Sequence, residues 1–258
     1  MRPFTFNPGP KLLAGPDQAQ VLADKLPPGP CLLVTDPDLI RLGLPDAYFS
    51  AIGQDHGLIV FDSVEADPSK DTLLAATEAG RVGQATSVVG FGGGSPMDVA
   101  KLAAYLLGSG DKLDEIWGIG IAQGTRLPLA LVPTTAGTGS EATPISVITC
   151  EGGVKLAVNS LPLIADWAVL DATLTLDLPQ HVTAATGIDA IVHSIEAYTS
   201  ARLKNPLSDA LAREALRLLS GNLLIATREP ANLEARAAML LGAHLAGLAF
   251  SNAPVAGV

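Results

Sequence analysis

Asp189 and His193 stand four residues apart in GIDAIVHSIEAYTS, a stretch whose pattern is helical. Positions four apart share one face of a helix, so a carboxylate oxygen and an imidazole nitrogen can converge on one point beside the axis. A divalent metal ion suits that point; an i,i+4 pairing of Asp with protonated His on a solvated face uses the same residues. Ile188, Ile191, Val192 and Ile195 read as a second, core-facing stripe that fixes the direction in which the two polar groups project.

Two loops upstream carry the other candidate chemistry. TSVVGFGGGSPMDVAK, Thr86 to Lys101, is a buried strand running into Gly92, Gly93 and Gly94, with Ser95 and Pro96 at a helix start. Glycines there permit positive φ and close approach of a ligand, while free N–H groups and the helix dipole favour an anion such as a pyrophosphate. A tight strand-to-helix turn without a ligand draws on similar residues. The second loop, Pro133-Thr134-Thr135-Ala136-Gly137-Thr138, reads as a hydroxyl and amide surface facing a ligand across from the first, or as an ordinary polar loop. Gly137 to Ala142 formally fits G-x-G-x-x-A, but Pro144 and the β-branched run ISVIT follow at once, so the helix that the fingerprint should open is missing. Asp36 ends the strand-like run CLLVT. It can accept hydrogen bonds from ribose hydroxyls and repel a 2′-phosphate, or cap a helix before Pro37.

The elements that must hold these residues follow from alternation. From Cys31 onward short apolar runs (CLLVT, GLIVF, TSVVGFG, LPLALVP) alternate with helical patterns through Leu44 and Ile52 and through PSKDTLLAATEAGRVG. That order implies a parallel sheet covered on both faces. Pro27 to Pro30 and Asp67-Pro68 mark joints, and Glu151-Gly152-Gly153 between Ser146 to Thr149 and Val154 to Val158 reads as a hairpin. Past Leu178-Pro179 the strand signals stop. Helices are expected at about Gln180 to Thr199, Leu207 to Thr227 and Ala231 to Phe250, with Pro179, Pro206 and Pro230 near their starts. The expected fold is an α/β dinucleotide-binding domain, residues 1–177, with a parallel sheet, followed by an incomplete all-helical metal and substrate domain, residues 178–258.

At 258 residues, 48% hydrophobic and 16% charged, the chain can bury a large core. A net charge of −10 argues against nucleic acid, which needs a basic footprint. No apolar run reads as a bilayer span: Ala237 to Phe250, interrupted by His244 and two glycines, suits a buried helix. The N-terminal MRPFTFNPGP has no apolar h-region, so the expected compartment is the cytoplasm. Cys31 and Cys150 border strand-like runs as buried free thiols, and His56 is expected in a solvated loop.

GGGSPMDVAK, PTTAGTGSEAT and GIDAIVHSIEAY, in this order and spacing, resemble the iron-containing (group III) alcohol dehydrogenase family, over essentially the whole chain. The resemblance implies a cleft between an α/β and a helical domain, where NAD(P) meets an alcohol or aldehyde held on Fe²⁺, with Zn²⁺ as the other candidate. It implies that Gly92, Gly93, Gly94, Ser95 and Asp98 line the pyrophosphate and nicotinamide side, and that Thr134, Thr135, Thr138 and Thr143, with Lys155 from the hairpin, form the opposite wall. Asp36 takes the position associated with NAD preference, Asp189 and His193 those of the first two metal ligands, and no side chain a general base's. A homo-oligomer, a dimer, is expected.

Family members take four metal ligands, the last two being histidines downstream of a GLAFSN-like segment. This sequence reaches Val258 soon after Gly247 to Asn252 without them. His181, twelve residues before His193, lies roughly 18 Å away along a continuous helix. The expectation is therefore a fragment whose cofactor site is largely present and whose metal site is half built, with an apolar patch on its last helix. A non-catalytic nucleotide-binding module, or a relative such as glycerol dehydrogenase or maleylacetate reductase, is the alternative.

Overall fold

The computed structural model describes residues 3–201 and 203–253. Met1, Arg2, Arg202 and 254–258, assigned above to one or other part, lie outside these. The α/β part opens with β1 (Lys11–Ala14), α1 (Ala19–Ala23), β2 (Cys31–Val34), α2 (Pro37–Arg41), α3 (Asp46–Asp55) and β3 (Leu58–Phe61). It continues through α4 (Lys70–Val82), β4 (Ser87–Gly92), α5 (Gly94–Ser109), β5 (Gly118–Ile119) and β6 (Leu129–Pro133). β7 (Ile145–Thr149), β8 (Lys155–Asn159) and β9 (Trp167–Leu170) complete the strands, and three long helices follow: α6 (Gln180–Thr199), α7 (Pro206–Arg228) and α8 (Leu233–Asn252).

Six strands form one all-parallel sheet in the order β1-β9-β6-β4-β2-β3. The central strands are continuous apolar runs because both faces are covered. Side-chain alternation sends Leu32, Val34 and Val88 to a core shared with α4 and α5, and Leu33, Val89 and Phe91 to a core shared with α1 and α3. Gly90 lets α5 sit against the sheet, since a Cβ there would lie 2.7 Å from Ala100 Cβ. β7 and β8 pair antiparallel around Glu151–Gly153, as the sequence suggested, and β5 adds a parallel edge.

The three helices begin where local chemistry starts them. Asn205 caps α7 through the Ser208 N–H with Pro206 following it, and Asn232 caps α8 through the Ala235 N–H. Small residues set their spacing: a Cβ on Gly187 would meet Leu223, and one on Gly242 would meet Leu219. α8 is long and apolar enough to cross a bilayer by length and composition alone, but 67% of its most apolar window is buried, as in the core helix that the sequence suggested.

Two expectations fail on α6. Its buried face is Thr183, Gly187, Ala190, Ser194 and Ala197; of the supposed core stripe only Ile191 packs, partly buried, against the core shared with α7 and α8, whereas Ile188, Val192 and Ile195 are 53%, 43% and 47% exposed. Close packing against α7 and α8 selects small side chains and turns the bulky ones outward. The apolar patch expected on the last helix therefore lies on α6 instead, and α8 is largely covered. His56 is also not free in a loop: it ends α3, half-buried, with Nε2 3.2 Å from the Ala23 carbonyl oxygen. Cys31 is buried as expected, while Cys150 is only half-buried.

Candidate functional site

β4 is buried along its whole length and delivers the glycine turn to the C-terminal edge of the sheet. Gly92 turns the chain at φ +147°, where a Cβ would strike Pro96, and α5 starts at Gly94. No side chain caps α5 and its first turn carries no acid. Its N–H groups and dipole are thus uncompensated, the condition for anion binding. β6 runs beside β4 and brings the threonine loop against the same turn: the Thr134 N–H donates to the Gly92 carbonyl oxygen at 2.9 Å. Thr135 and Thr138 stand over Gly93 and Gly94, where an added Cβ would lie 3.6 and 3.1 Å from them.

Two cavities share Gly94 and Ser95. The outer, about 610 Å³, is lined by Asp36, Gly93, Thr134 and Thr135 together with Leu174, Asp177, Leu178, Pro179 and Val182. Its charged lining is acidic throughout (Asp36, Asp38, Glu65 and Asp177), with no lysine or arginine among the described residues. Asp36 caps α2, accepting from the Asp38 and Leu39 N–H groups at 3.0 and 2.9 Å, both on Oδ1, so Oδ2 remains available. The two readings of this residue are therefore compatible. Burial pushes its carboxyl up, against those backbone hydrogen bonds.

The inner cavity, about 420 Å³, is lined by Asp98, Thr138, Thr143, Lys155 and His193, by Asp67, read from the sequence only as a joint, and by Ser140 and Phe250, which sequence reasoning did not single out. Phe250 lay in the quoted GLAFSN run and Ser140 in PTTAGTGSEAT, so both were in view without a role. Lys155 stands at the rim, paired with Asp67 at 2.7 Å. Asp98 is saturated from within the protein, by Ser140 Oγ at 2.6 Å and the Val147 N–H at 2.8 Å. Gly139, in the left-handed region, leads only into a three-residue turn, Ser140–Ala142, so the second glycine pattern opens no helix.

Asp189 and His193 do meet, His193 Nε2 lying 3.7 Å from Asp189 Oδ1. Ligands about 2.1 Å from a common ion at tetrahedral angles stand ~3.4 Å apart, so the spacing fits two adjacent coordination positions. His193 packs on the Phe250 ring at 5.0 Å, and its Nδ1 is buried without a partner. His193 lines the inner cavity; Asp189 lines neither, and Gly92 lies behind the turn. Among the described residues no three His, Cys, Asp or Glu side chains gather as a metal site. His244 is occupied elsewhere, buried with Nδ1 3.2 Å from Glu141 Oε1, and His181 is exposed on the first turn of α6. The pair thus fits part of a coordination sphere.

A parallel sheet with an uncapped glycine turn at its centre, joined to a helical bundle that faces the same cleft, defines an α/β dinucleotide-binding fold with a helical partner. A family profile described as iron-containing alcohol dehydrogenase matches residues 9–172, and one described as Fe-containing alcohol dehydrogenase family, C-terminal, matches 183–258. Long-chain-alcohol dehydrogenase 1 of Geobacillus thermodenitrificans (strain NG80-2) is 43% identical over 231 residues, 88% of this chain and 58% of its own length. The crystal structure of a 1,3-propanediol oxidoreductase superposes with a TM-score of 0.93 at 33% identity, covering 98% of this chain and 68% of that one. Sulfoacetaldehyde reductase from Bifidobacterium kashiwanohense, solved in complex with NAD⁺, gives 0.90 at 31%, covering 99% and 69%. The chain belongs to the iron-containing alcohol dehydrogenase family. It spans less than two thirds of the length of that curated relative.

Proposed function

We propose that the chain forms the nucleotide-binding side, and part of the metal-binding side, of an NAD(H)-dependent oxidoreductase that interconverts a small alcohol with an aldehyde or ketone. The observation that carries this reading is the shared Gly94-Ser95 turn between two cavities, with Asp36 in one and His193 in the other. A dinucleotide laid across that turn puts its adenosine in the outer cavity and its nicotinamide in the inner one.

In this reading Asp36 accepts from the adenosine ribose, and the four acids of the outer cavity disfavour a 2′-phosphate. Gly93, Gly94 and Ser95 present N–H groups to the pyrophosphate. Thr134 and Thr135 close over it, while Thr138, Thr143 and Lys155 bound the nicotinamide side. Asp189 and His193 would hold Fe²⁺ or Zn²⁺ through Oδ1 and Nε2, a carboxylate and imidazole set that suits either ion. The chemistry supplied by such an ion is Lewis-acid polarisation of the substrate oxygen, and by nicotinamide, hydride transfer at C4. Residues 1–177 and 178–258 act as the two sides of the cleft, in a cytoplasmic homo-oligomer.

Titration with NADH followed by nicotinamide fluorescence tests the reading. Saturable binding is expected, with NADPH at least tenfold weaker, the equivalent of about 1.4 kcal/mol. Equal affinity for the two, or no binding to either, would remove the basis for the assignment.

A further inference from the structure

Lys101 lies in the middle of α5, in the run MDVAKLAAYLL, and is fully buried. A buried ammonium is costly unless its three N–H groups all find acceptors. All three do: Nζ donates to Ser140 Oγ at 2.7 Å, to the Ile145 carbonyl oxygen at 2.7 Å and to Thr143 Oγ1 at 3.2 Å. The balancing charge is one turn back on the same helix, Asp98 Oδ1 at 3.7 Å. The Ser140 hydroxyl donates a hydrogen bond to Asp98 Oδ1 while accepting one from Lys101, and Asp98 also accepts from the Val147 N–H and, on its backbone carbonyl oxygen, from the Ser146 hydroxyl.

Two side chains on one face of α5 therefore hold the chain from 140 to 147. Four residues of that segment, Ser140, Thr143, Ile145 and Val147, line the inner cavity, and the Ser140 N–H ties in Thr138 at 3.2 Å. Lys101 itself lines neither cavity. A plain space-filling role would not call for a charge, because a buried ion pair seldom stabilises more than apolar residues of the same volume. What the pair adds is direction: hydrogen bonds with fixed geometry where apolar contacts could slide.

We infer that Lys101 is a positioning residue for the inner cavity, fixing the 138–147 wall against α5. Its purpose rests on the nucleotide reading above; its geometry does not. Burial pushes the Lys101 ammonium down and the Asp98 carboxyl up, each opposed by the other's charge, so the pair stands or falls together.

The test compares wild type with Lys101→Met, and with Lys101→Met/Asp98→Asn as the variant that leaves no lone buried charge if the single change does not fold. Amide hydrogen exchange of the ligand-free protein is expected to show protection lost by about tenfold or more in 138–147 while β4 and α4 keep theirs. NADH affinity is expected to fall by about tenfold, and AMP, which reaches only the outer cavity, to bind within about twofold of wild type. Unchanged protection in 138–147, or a loss spread equally over β4 and α4, overturns the assignment, as does equal weakening of NADH and AMP. Wild type that binds no NADH overturns the nucleotide reading, while the exchange pattern still decides what Lys101 does.

Discussion

The two walls of the cleft are built on opposite terms. On the loop side Lys101 spends every donor, both Asp98 oxygens are taken, and Glu141 meets His244 where each is 3% exposed. On α6 Asp189 and His193 stand 3.7 Å apart, His193 Nδ1 has no partner, and large apolar side chains face out. A wall whose task is to hold a shape keeps no spare valence, because each closed hydrogen bond narrows the positions it can adopt. In the proposed reading α6 is the wall that takes a ligand, and such a wall keeps ligating groups free for the ligand to order.

The largest effect should come from the seam that ties the loop wall to α8, the helix on which α6 also packs. Gly139 and Gly247 are in backbone contact: a Cβ on Gly247 would sit 2.6 Å from the Gly139 carbonyl oxygen, and Gly139 is in the left-handed region at φ +60°. Backbone cannot give way as a flexible side chain does. Gly247→Leu should cost about 3 kcal/mol or more, lowering the melting temperature by roughly 10 °C. Differential scanning calorimetry measures it; a shift under a few degrees would mean that the loop wall is not rigidly joined to α8.

Removing a donor from α6 should do the reverse, leaving the fold and losing the ligand. Asp189→Ala is expected to change stability by no more than about 0.5 kcal/mol and His193→Ala, which gives up its packing on Phe250, by about 1 kcal/mol, while Co²⁺ affinity drops by at least the 10–100-fold that an outer-shell change costs. The visible spectrum of added Co²⁺ reports the second quantity. With two protein donors, zinc should also leave wild type on dialysis. A stoichiometric ion retained would show the α6 wall to be as complete as its neighbour.

Asp36 sharpens the contrast within the loop side, since it both caps α2 and faces the outer cavity. Asn caps as well as Asp does. Asp36→Asn should therefore keep the melting temperature and cut the preference for NADH over NADPH by about tenfold. If stability falls and selectivity stays, the residue is a cap and nothing more.

How much of this was legible follows from the range of each interaction. The glycine turn, the hairpin and the three long helices are set by residues within a few positions of one another, and they formed close to where the sequence placed them. β1 and β9 escaped notice because what makes them strands is their pairing with one another, across most of the α/β part. The joining of Asp98, Lys101 and Ser140 was similarly out of reach. Still, a lysine in MDVAKLAAYLL, a helix apolar nearly all round, was a signal that a buried partner had to exist. The α6 stripe failed for a different reason: periodicity shows that a helix has an apolar side, and small residues at the helix contacts decide which side is covered.

That last point gives the smallest predicted effect. If Ile188, Val192 and Ile195 were core, truncating or charging any of them would leave a cavity or a buried charge and cost several kcal/mol. Exposed at 53%, 43% and 47%, they have little burial to lose in the folded chain. Ile188→Lys, Val192→Lys and Ile195→Lys should each shift stability by no more than about 0.5 kcal/mol. What they should change is association, because apolar side chains one turn apart on one helix face form a patch that water does not cover well. Sedimentation and binding of a hydrophobic dye should both fall, most in the triple variant. If any one substitution unfolds the chain, α6 packs by the stripe the sequence suggested, and the difference between the two walls is smaller than their side chains imply.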